Sequence, residues 1–214
     1  MKRALIAGAS GLVGQALLTR LLNSSNYAGV HALVRRHLPI SHPKLTQELI
    51  QFKHLDRYSG PETFEDVFCC LGTTIKKAGS KKAFTEVDQH HVVRLGRWAK
   101  KQQCQRFLVI SSVGANAQAA NFYLCTKGQM ENELRALQLP TLHIFRPSLL
   151  LGDRREFRLA EKLSEKAMYL LKPFLQWPWR KYRAIKASDV AEAMYRQAQD
   201  GRKGVWIYEG AKLS

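Results

Sequence analysis

Apolar positions along this chain follow two alternating rhythms. Short runs at Ala4–Ala7, Val30–Val34, Glu48–Phe52, Asp66–Leu71, Arg106–Ile110 and Thr141–Phe145 predict strands. Between several of them apolar residues recur at helical spacing, over Leu12–Leu22, Ala83–Lys100 and Tyr123–Leu137, and predict helices. Strand–helix alternation of this kind builds βαβ units with right-handed crossovers, so the expected architecture is α/β, a doubly wound parallel sheet. Beyond Phe145 the rhythm weakens. Arg155–Leu171 reads as helical, Ser188–Gln199 as a helix capped by Ser188 or Asp189, and Val205–Tyr208 as a short final strand. At 214 residues and 45% apolar, a single domain over 1–214 is expected, with about 150–187 and 200–214 forming a small C-terminal cap.

In such a sheet ligands bind beyond the C-terminal ends of the strands, so the residues that follow each strand are the candidates. The first strand runs into Gly8-Ala9-Ser10-Gly11-Leu12-Val13-Gly14, a tight turn that opens a helix. Bare N–H groups at a helix N-terminus suit a phosphate or pyrophosphate, and glycines remove the Cβ atoms that would block its approach. The spacing is G-x-x-G-x-x-G rather than G-x-G-x-x-G, and small residues here also suit plain helix–sheet packing. The second strand ends in Arg35-Arg36, where an NAD site would carry an acidic residue for the ribose hydroxyl. Guanidinium forks match a 2′-phosphate instead and predict NADP(H); the alternative is a basic pair that faces water. The fourth strand ends in Leu71-Gly72-Thr73-Thr74, the fifth in Ser111-Ser112-Val113-Gly114 and the sixth in Arg146-Pro147-Ser148. Tyr123 and Lys127 share one face of the next helix, where an ammonium beside a phenol helps it trade a proton. Ser112, at the end of the fifth strand, can hydrogen-bond the carbonyl oxygen of an acceptor that takes the phenol's proton.

Composition adds charge to this picture. Lys and Arg number 34 against 17 Asp and Glu, a formal net charge of +17, dispersed as pairs such as Lys76-Lys77, Lys81-Lys82 and Arg202-Lys203. A solvated basic surface, an acidic ligand, an anionic membrane surface and nucleic acid all fit that charge. Its dispersal, without a nucleic-acid motif, argues against the last. Cys69, Cys70, Cys104 and Cys125 have no metal spacing and read as reduced thiols of a cytoplasmic protein. The adjacent His90 and His91 cannot face one metal from a helix, and Glu131 and Glu133 read as charge balance on a helix exterior. No run reaches the length of a membrane span. Leu159–Arg183, with Phe174, Trp177 and Trp179 ahead of Arg180, Lys181 and Arg183, reads as a substrate lid, a packing or dimer contact, or a membrane-surface segment.

Taken together, Gly8-x-x-Gly11-x-x-Gly14, Ser111-Ser112-Val113-Gly114, Tyr123-x-x-x-Lys127, Phe145-Arg146-Pro147 and Ser188-Asp189-Val190-Ala191 resemble the short-chain dehydrogenase/reductase superfamily in its atypical, extended-like branch. Phe68-Cys69-Cys70-Leu71-Gly72-Thr73-Thr74, Lys77-Ala78-Gly79, Val87-Asp88 and Asn121-Phe122-Tyr123-Leu124 narrow the resemblance to the HIV Tat-interactive protein 2 (oxidoreductase)-like family, over roughly residues 2–155. The resemblance implies a Rossmann fold holding NADPH. In it Gly8, Ser10, Gly11, Leu12 and Val13 cradle the pyrophosphate, and Arg35 and Arg36 take the adenosine phosphate. Leu71, Gly72 and Thr73 line the riboses, while Pro147, Ser148 and Leu149 lie beside the nicotinamide. It also implies Tyr123 as proton donor, Lys127 as its partner and ribose ligand, and Ser112 as the group that polarises the carbonyl. Two positions depart from the pattern: Gln51 replaces an acidic residue near the adenine, and Asp88 an asparagine that supports a proton relay. The expected activity is hydride transfer to a carbonyl-like small molecule. The alternative is an NADPH-binding regulatory or assembly protein, acting through a protein partner or as a homodimer.

Overall fold

The structure, a computed structural model, describes residues 1–58, 60, 63–151 and 184–213. Its strands are β1 (Lys2–Ala7), β2 (Tyr27–Val34), β3 (Leu45–Leu49), β4 (Asp66–Cys69), β5 (Arg106–Ile110), β6 (Thr141–Arg146), β7 (Leu150–Leu151), β8 (Ile185–Lys186) and β9 (Gly204–Glu209). Seven of them form one sheet in the order β3-β2-β1-β4-β5-β6-β9, and every pairing is parallel. The chain starts in the middle, builds outward to β3, then crosses over to β4 and builds the other way. That reversal opens a crevice beside β1. Ala7 pairs with Leu33 on one side and Cys69 on the other, so β1, β2 and β4 end level and their following turns emerge side by side.

Helices cover both faces. Helices α1 (Leu12–Leu22) and α6 (Ala187–Ala198) enclose one apolar core with Ala4 and Ile6 of β1. On the other face the core joins Leu5 and Ala7 to α4 (Val92–Lys101) and α5 (Phe122–Ala136). With alternate residues buried in opposite directions, the central strands read as continuous apolar runs. Two short helices, α2 (Ile75–Ala78) and α3 (Lys81–Thr85), lead into a π-helical turn, Glu86–His91, and from there into α4. At the opposite end of the sheet the buried Asp66 accepts a hydrogen bond from Tyr27 Oη at 2.6 Å and pairs with Arg106.

Three expectations shift. The third strand is Leu45–Leu49, not Glu48–Phe52. It is an edge strand of mixed polarity, whereas the apolar Phe52 that suggested a strand is buried from a 3-10 turn, Phe52–Arg57. Apolar pattern reports burial, not pairing. The single helix expected over Ala83–Lys100 is divided by the π turn. The final strand, β9, completes the main sheet beside β6 rather than joining a cap, with Leu142 opposite Val205 and Ile144 opposite Ile207. The expected helix Arg155–Leu171 and the whole segment 159–183 expected as a lid, Trp177 and Trp179 included, lie outside the described residues. Among the described residues no helix is long and apolar enough to cross a membrane.

Candidate functional site

The glycine turn after β1 is shaped by its neighbours. Gly8 has φ +86°, and a Cβ there would run into the Cys70 carbonyl and lie 2.8 Å from the Leu71 nitrogen. A Cβ on Gly14 would strike the Gly8 carbonyl and lie 3.0 Å from Ala9 Cα. Gly11 differs: among the described residues its Cβ would meet just the Gly8 oxygen, at 3.4 Å, and these residues leave this side of the turn open. Gly11 is also the N-cap of α1. No side chain caps that terminus and no acidic residue occupies its first turn. A helix start left in this state presents N–H groups and positive potential to an anion.

The turn faces a cavity of about 690 Å³ at the C-terminal ends of the strands. Of the residues predicted for a cofactor, Gly11, Leu12 and Val13 line one wall, Arg35 lies at one end, and Leu71, Gly72 and Thr73 form the β4 side. Pro147 and Ser148 close the far side, and the predicted catalytic group, Ser112, Tyr123 and Lys127, lines the same space. Gly8, Ser10, Arg36 and Leu149 are not in the lining. Gly8 lies under the turn, Ser10 and Arg36 are exposed, and Leu149 is 65% exposed while Leu150 lines the wall instead.

The two serines after β5 are sharply distinguished. Ser111 is buried and donates to Glu131 Oε1 at 2.5 Å. Glu131 is also gripped by Arg146, Nε to Oε1 at 2.8 Å and Nη2 to Oε2 at 2.6 Å, and Arg146 reaches on to Glu209 at 2.7 Å. Both serines line the cavity, but among the described residues the Ser112 hydroxyl has just one long contact, 3.3 Å, to the Val113 carbonyl. Glu131 is therefore not on a helix exterior: it is 1% exposed and ties α5 to β5 and β6. Its burial was hidden because its tightest partners, Ser111 and Arg146, come from other segments, while Arg135 one turn along its own helix lies at 3.5 Å.

Lys127, on α5, is 3% exposed, and its ammonium lies 2.8 Å from Asp88 Oδ1. Burial is the largest influence and opposes its charge, but the Asp88 carboxylate outweighs it and holds the ammonium above its ordinary value. The other Asp88 oxygen accepts the Thr73 N–H at 2.8 Å. Burial pushes the Cys69 thiol up to about 12, so it stays neutral beside this pair. The Tyr123 ring packs against the fully buried Phe84, with centroids 5.6 Å apart.

A second cavity of about 730 Å³ adjoins the first and shares Arg35 and Ala83 with it. Phe52 and His91 stack obliquely on one wall, centroids 5.6 Å apart, and Gln51, Lys53 and Lys82 complete the lining with Arg35. Glu86 also lines this space, but Arg94 at 2.5 Å and His90 at 2.8 Å already engage it. They hold its carboxyl down at about 2. Sequence reasoning missed Lys53 and Lys82, which reach the cavity from segments without a recognisable motif.

The profile of the NAD(P)H-binding family matches residues 8–200. The rat protein HTATIP2 is 37% identical over 169 residues, 77% of this chain and 69% of that protein. The mitochondrial protein FMP52 of Debaryomyces hansenii is 32% identical over 72% of this chain and 69% of its own length. Among solved structures, MoeE5 in complex with UDP-glucose and NAD superposes with a TM-score of 0.72 at 17% identity, over 99% of this chain and 79% of that one. The Bordetella bronchiseptica enzyme WbmH in complex with NAD+ gives 0.71 at 16%, over 98% and 75%. At such identities the likeness is one of fold. Glycine turn, sheet order and sequence kinship converge: the chain belongs to the NAD(P)H-binding family and is related to HTATIP2.

Proposed function

We propose that this protein is an NADPH-dependent oxidoreductase that reduces a carbonyl-like small molecule, with Tyr123 as proton donor. The observation that carries the reading is a single cavity lined both by the phosphate-cradling turn, Gly11–Gly14, and by Ser112, Tyr123 and Lys127. The site suits a dinucleotide: Gly11 leaves the turn open where a Cβ would stand, and the α1 terminus is uncapped. Preference for NADP(H) over NAD(H) is supported by the cationic lining of the adjoining cavity, Arg35, Lys53 and Lys82, a match for a 2′-phosphate. When bound, the dihydronicotinamide supplies two electrons to the acceptor as a hydride. Ser112, whose hydroxyl is only loosely held, donates to the acceptor oxygen, and the Tyr123 phenol delivers a proton to it. Lys127 holds the ribose side and steadies the phenol, with Phe84 behind the ring.

A second reading, a cofactor-binding regulatory or assembly protein without turnover, draws on the engagement of Lys127 by Asp88. Four free cysteines support a reducing compartment, cytoplasmic in the sequence reading, whereas the yeast relatives are by name mitochondrial. Calorimetry and a carbonyl panel test the assignment together. NADPH is expected to raise Tm by several degrees at ~100 times its Kd, an increment of about 2.7 kcal/mol, and NADH at equal concentration by much less. Tyr123→Phe is expected to keep NADPH affinity within a few fold and to lose about 100-fold or more in reduction rate. Full turnover in Tyr123→Phe overturns the mechanism; tight NADPH binding without reduction across the panel favours the second reading.

A further inference from the structure

Lys127 stands almost wholly out of solvent, its side chain 4% exposed, and a lone ammonium in that position would shed its proton. The carboxylate that prevents this is Asp88, itself 1% exposed, at 2.8 Å. Asp88 does a second thing with its other oxygen: it accepts the N–H of Thr73, in the loop after β4 that lines the cavity. One carboxylate therefore brackets the cavity floor, joining the β4 loop to the helix that carries Tyr123 and Lys127. It sits inside the π-helical turn Glu86–His91, where the wider helix changes which side chains face the sheet. That turn has its own fastening, Glu86 held by Arg94, His90 and His91.

We propose that Asp88 is a positioning residue: the π turn delivers its carboxylate beneath the cavity so that Lys127 stays charged and fixed relative to the Thr73 loop. With one ammonium proton spent on Asp88, two remain for Tyr123 and a ribose, held in one orientation. An amide here would supply the geometry but not the counter-charge. Among the described residues the groups that face Lys127 are Asp88 from the π turn, Tyr123 from its own helix and Cys69 from β4; Arg35 and Lys77 line the same cavity. Asp88 is thus the carboxylate on which the charge of Lys127 depends. The proposal rests on the reading of Lys127 as a cofactor ligand only for its consequence in binding; the ion pair is tested without cofactor.

Asp88→Asn in the full chain is the experiment, with the Lys127 side chain followed by carbon-13 NMR as pH is raised. Lys127 is expected to lose its proton at least about two pH units earlier than in the unaltered protein, about 100-fold in proton affinity. NADPH affinity is expected to change little between pH 6.5 and 9 in the parent and to fall about tenfold or more across that range in the variant. A folded Asp88→Asn whose Lys127 titrates as in the parent overturns the proposal, whatever happens to NADPH. A shifted Lys127 in a protein that never binds NADPH supports it and removes the cofactor reading instead. Should Asp88→Asn fail to fold, the double variant Asp88→Asn, Lys127→Met decides: recovery of folding supports the ion pair, and no recovery overturns it.

Discussion

Single residues here separate into those that make the turn and those that make the site. Gly8 belongs to the first group, with positive φ and the Cys70 carbonyl where a side chain would start. Gly8→Ala is expected to cost about 3 kcal/mol or more, since a left-handed alanine alone costs roughly 1–2 before the collision is counted. Gly11 belongs to the second, with 3.4 Å to its nearest neighbour. Gly11→Ala is expected to leave stability within about 1 kcal/mol and to weaken NADPH at least tenfold, about 1.4 kcal/mol. Urea unfolding and cofactor titration of the two variants separate the roles; equal losses in both measurements would refute them. The motif announced both glycines in the sequence but could not say which served which purpose, because that depends on what β4 places beside the turn.

At the scale of elements, α5 is the part that must be held in phase. It carries Tyr123 and Lys127 on one face and Glu131 a turn later, and Glu131 is fastened to Ser111 at the end of β5 and to Arg146 at the end of β6. Glu131→Gln leaves the Arg146 guanidinium half-paired near the core, and a loss of about 3 kcal/mol is expected, the low end for a broken buried pair because Glu209 remains. Ser111→Ala removes one hydrogen bond to the carboxylate of the same network and is expected to cost about 1.5 kcal/mol, since the Arg146 pair remains. Denaturant midpoints of the two variants give the comparison, and parity between them would contradict the network. Helix periodicity located α5 correctly yet misplaced Glu131 on the outside. A charged residue reads as exposed until the partner that neutralises it is known, and Arg146 is fifteen residues away, on a strand rather than on this helix.

For the whole molecule, acid sensitivity is written into the sheet. His143, on β6 between β5 and β9, is fully buried, donating or accepting at Tyr208 Oη over 2.9 Å, with Nε2 unsatisfied among the described residues. Burial, the largest influence, brings its imidazole down to about 4. The folded state thus prefers neutral histidine, while the unfolded chain takes up a proton below about 6.5. Stability from this group is complete above the unfolded value and is lost as pH falls from there toward the folded one. The loss is about 3 kcal/mol between pH 7 and 4, at about 1.4 kcal/mol per unit. His143→Leu should remove that part of the pH dependence. An unchanged difference in unfolding free energy between the two pH values, parent against variant, would sink the assignment.

What the chain determined by itself was the alternation of strands and helices, the glycine turn, the basic end of β2 and the Tyr123–Lys127 face. Each is a local pattern, set by burial periodicity or by residues within a turn or two of one another. Tertiary structure alone decided four other things: that β9 closes the main sheet, that the Ser111 hydroxyl is engaged by Glu131, that Lys53 and Lys82 join Arg35, and that Asp88 meets Lys127. Those are meetings between segments far apart in sequence, and their energy resides in desolvated charges whose partners no local pattern names.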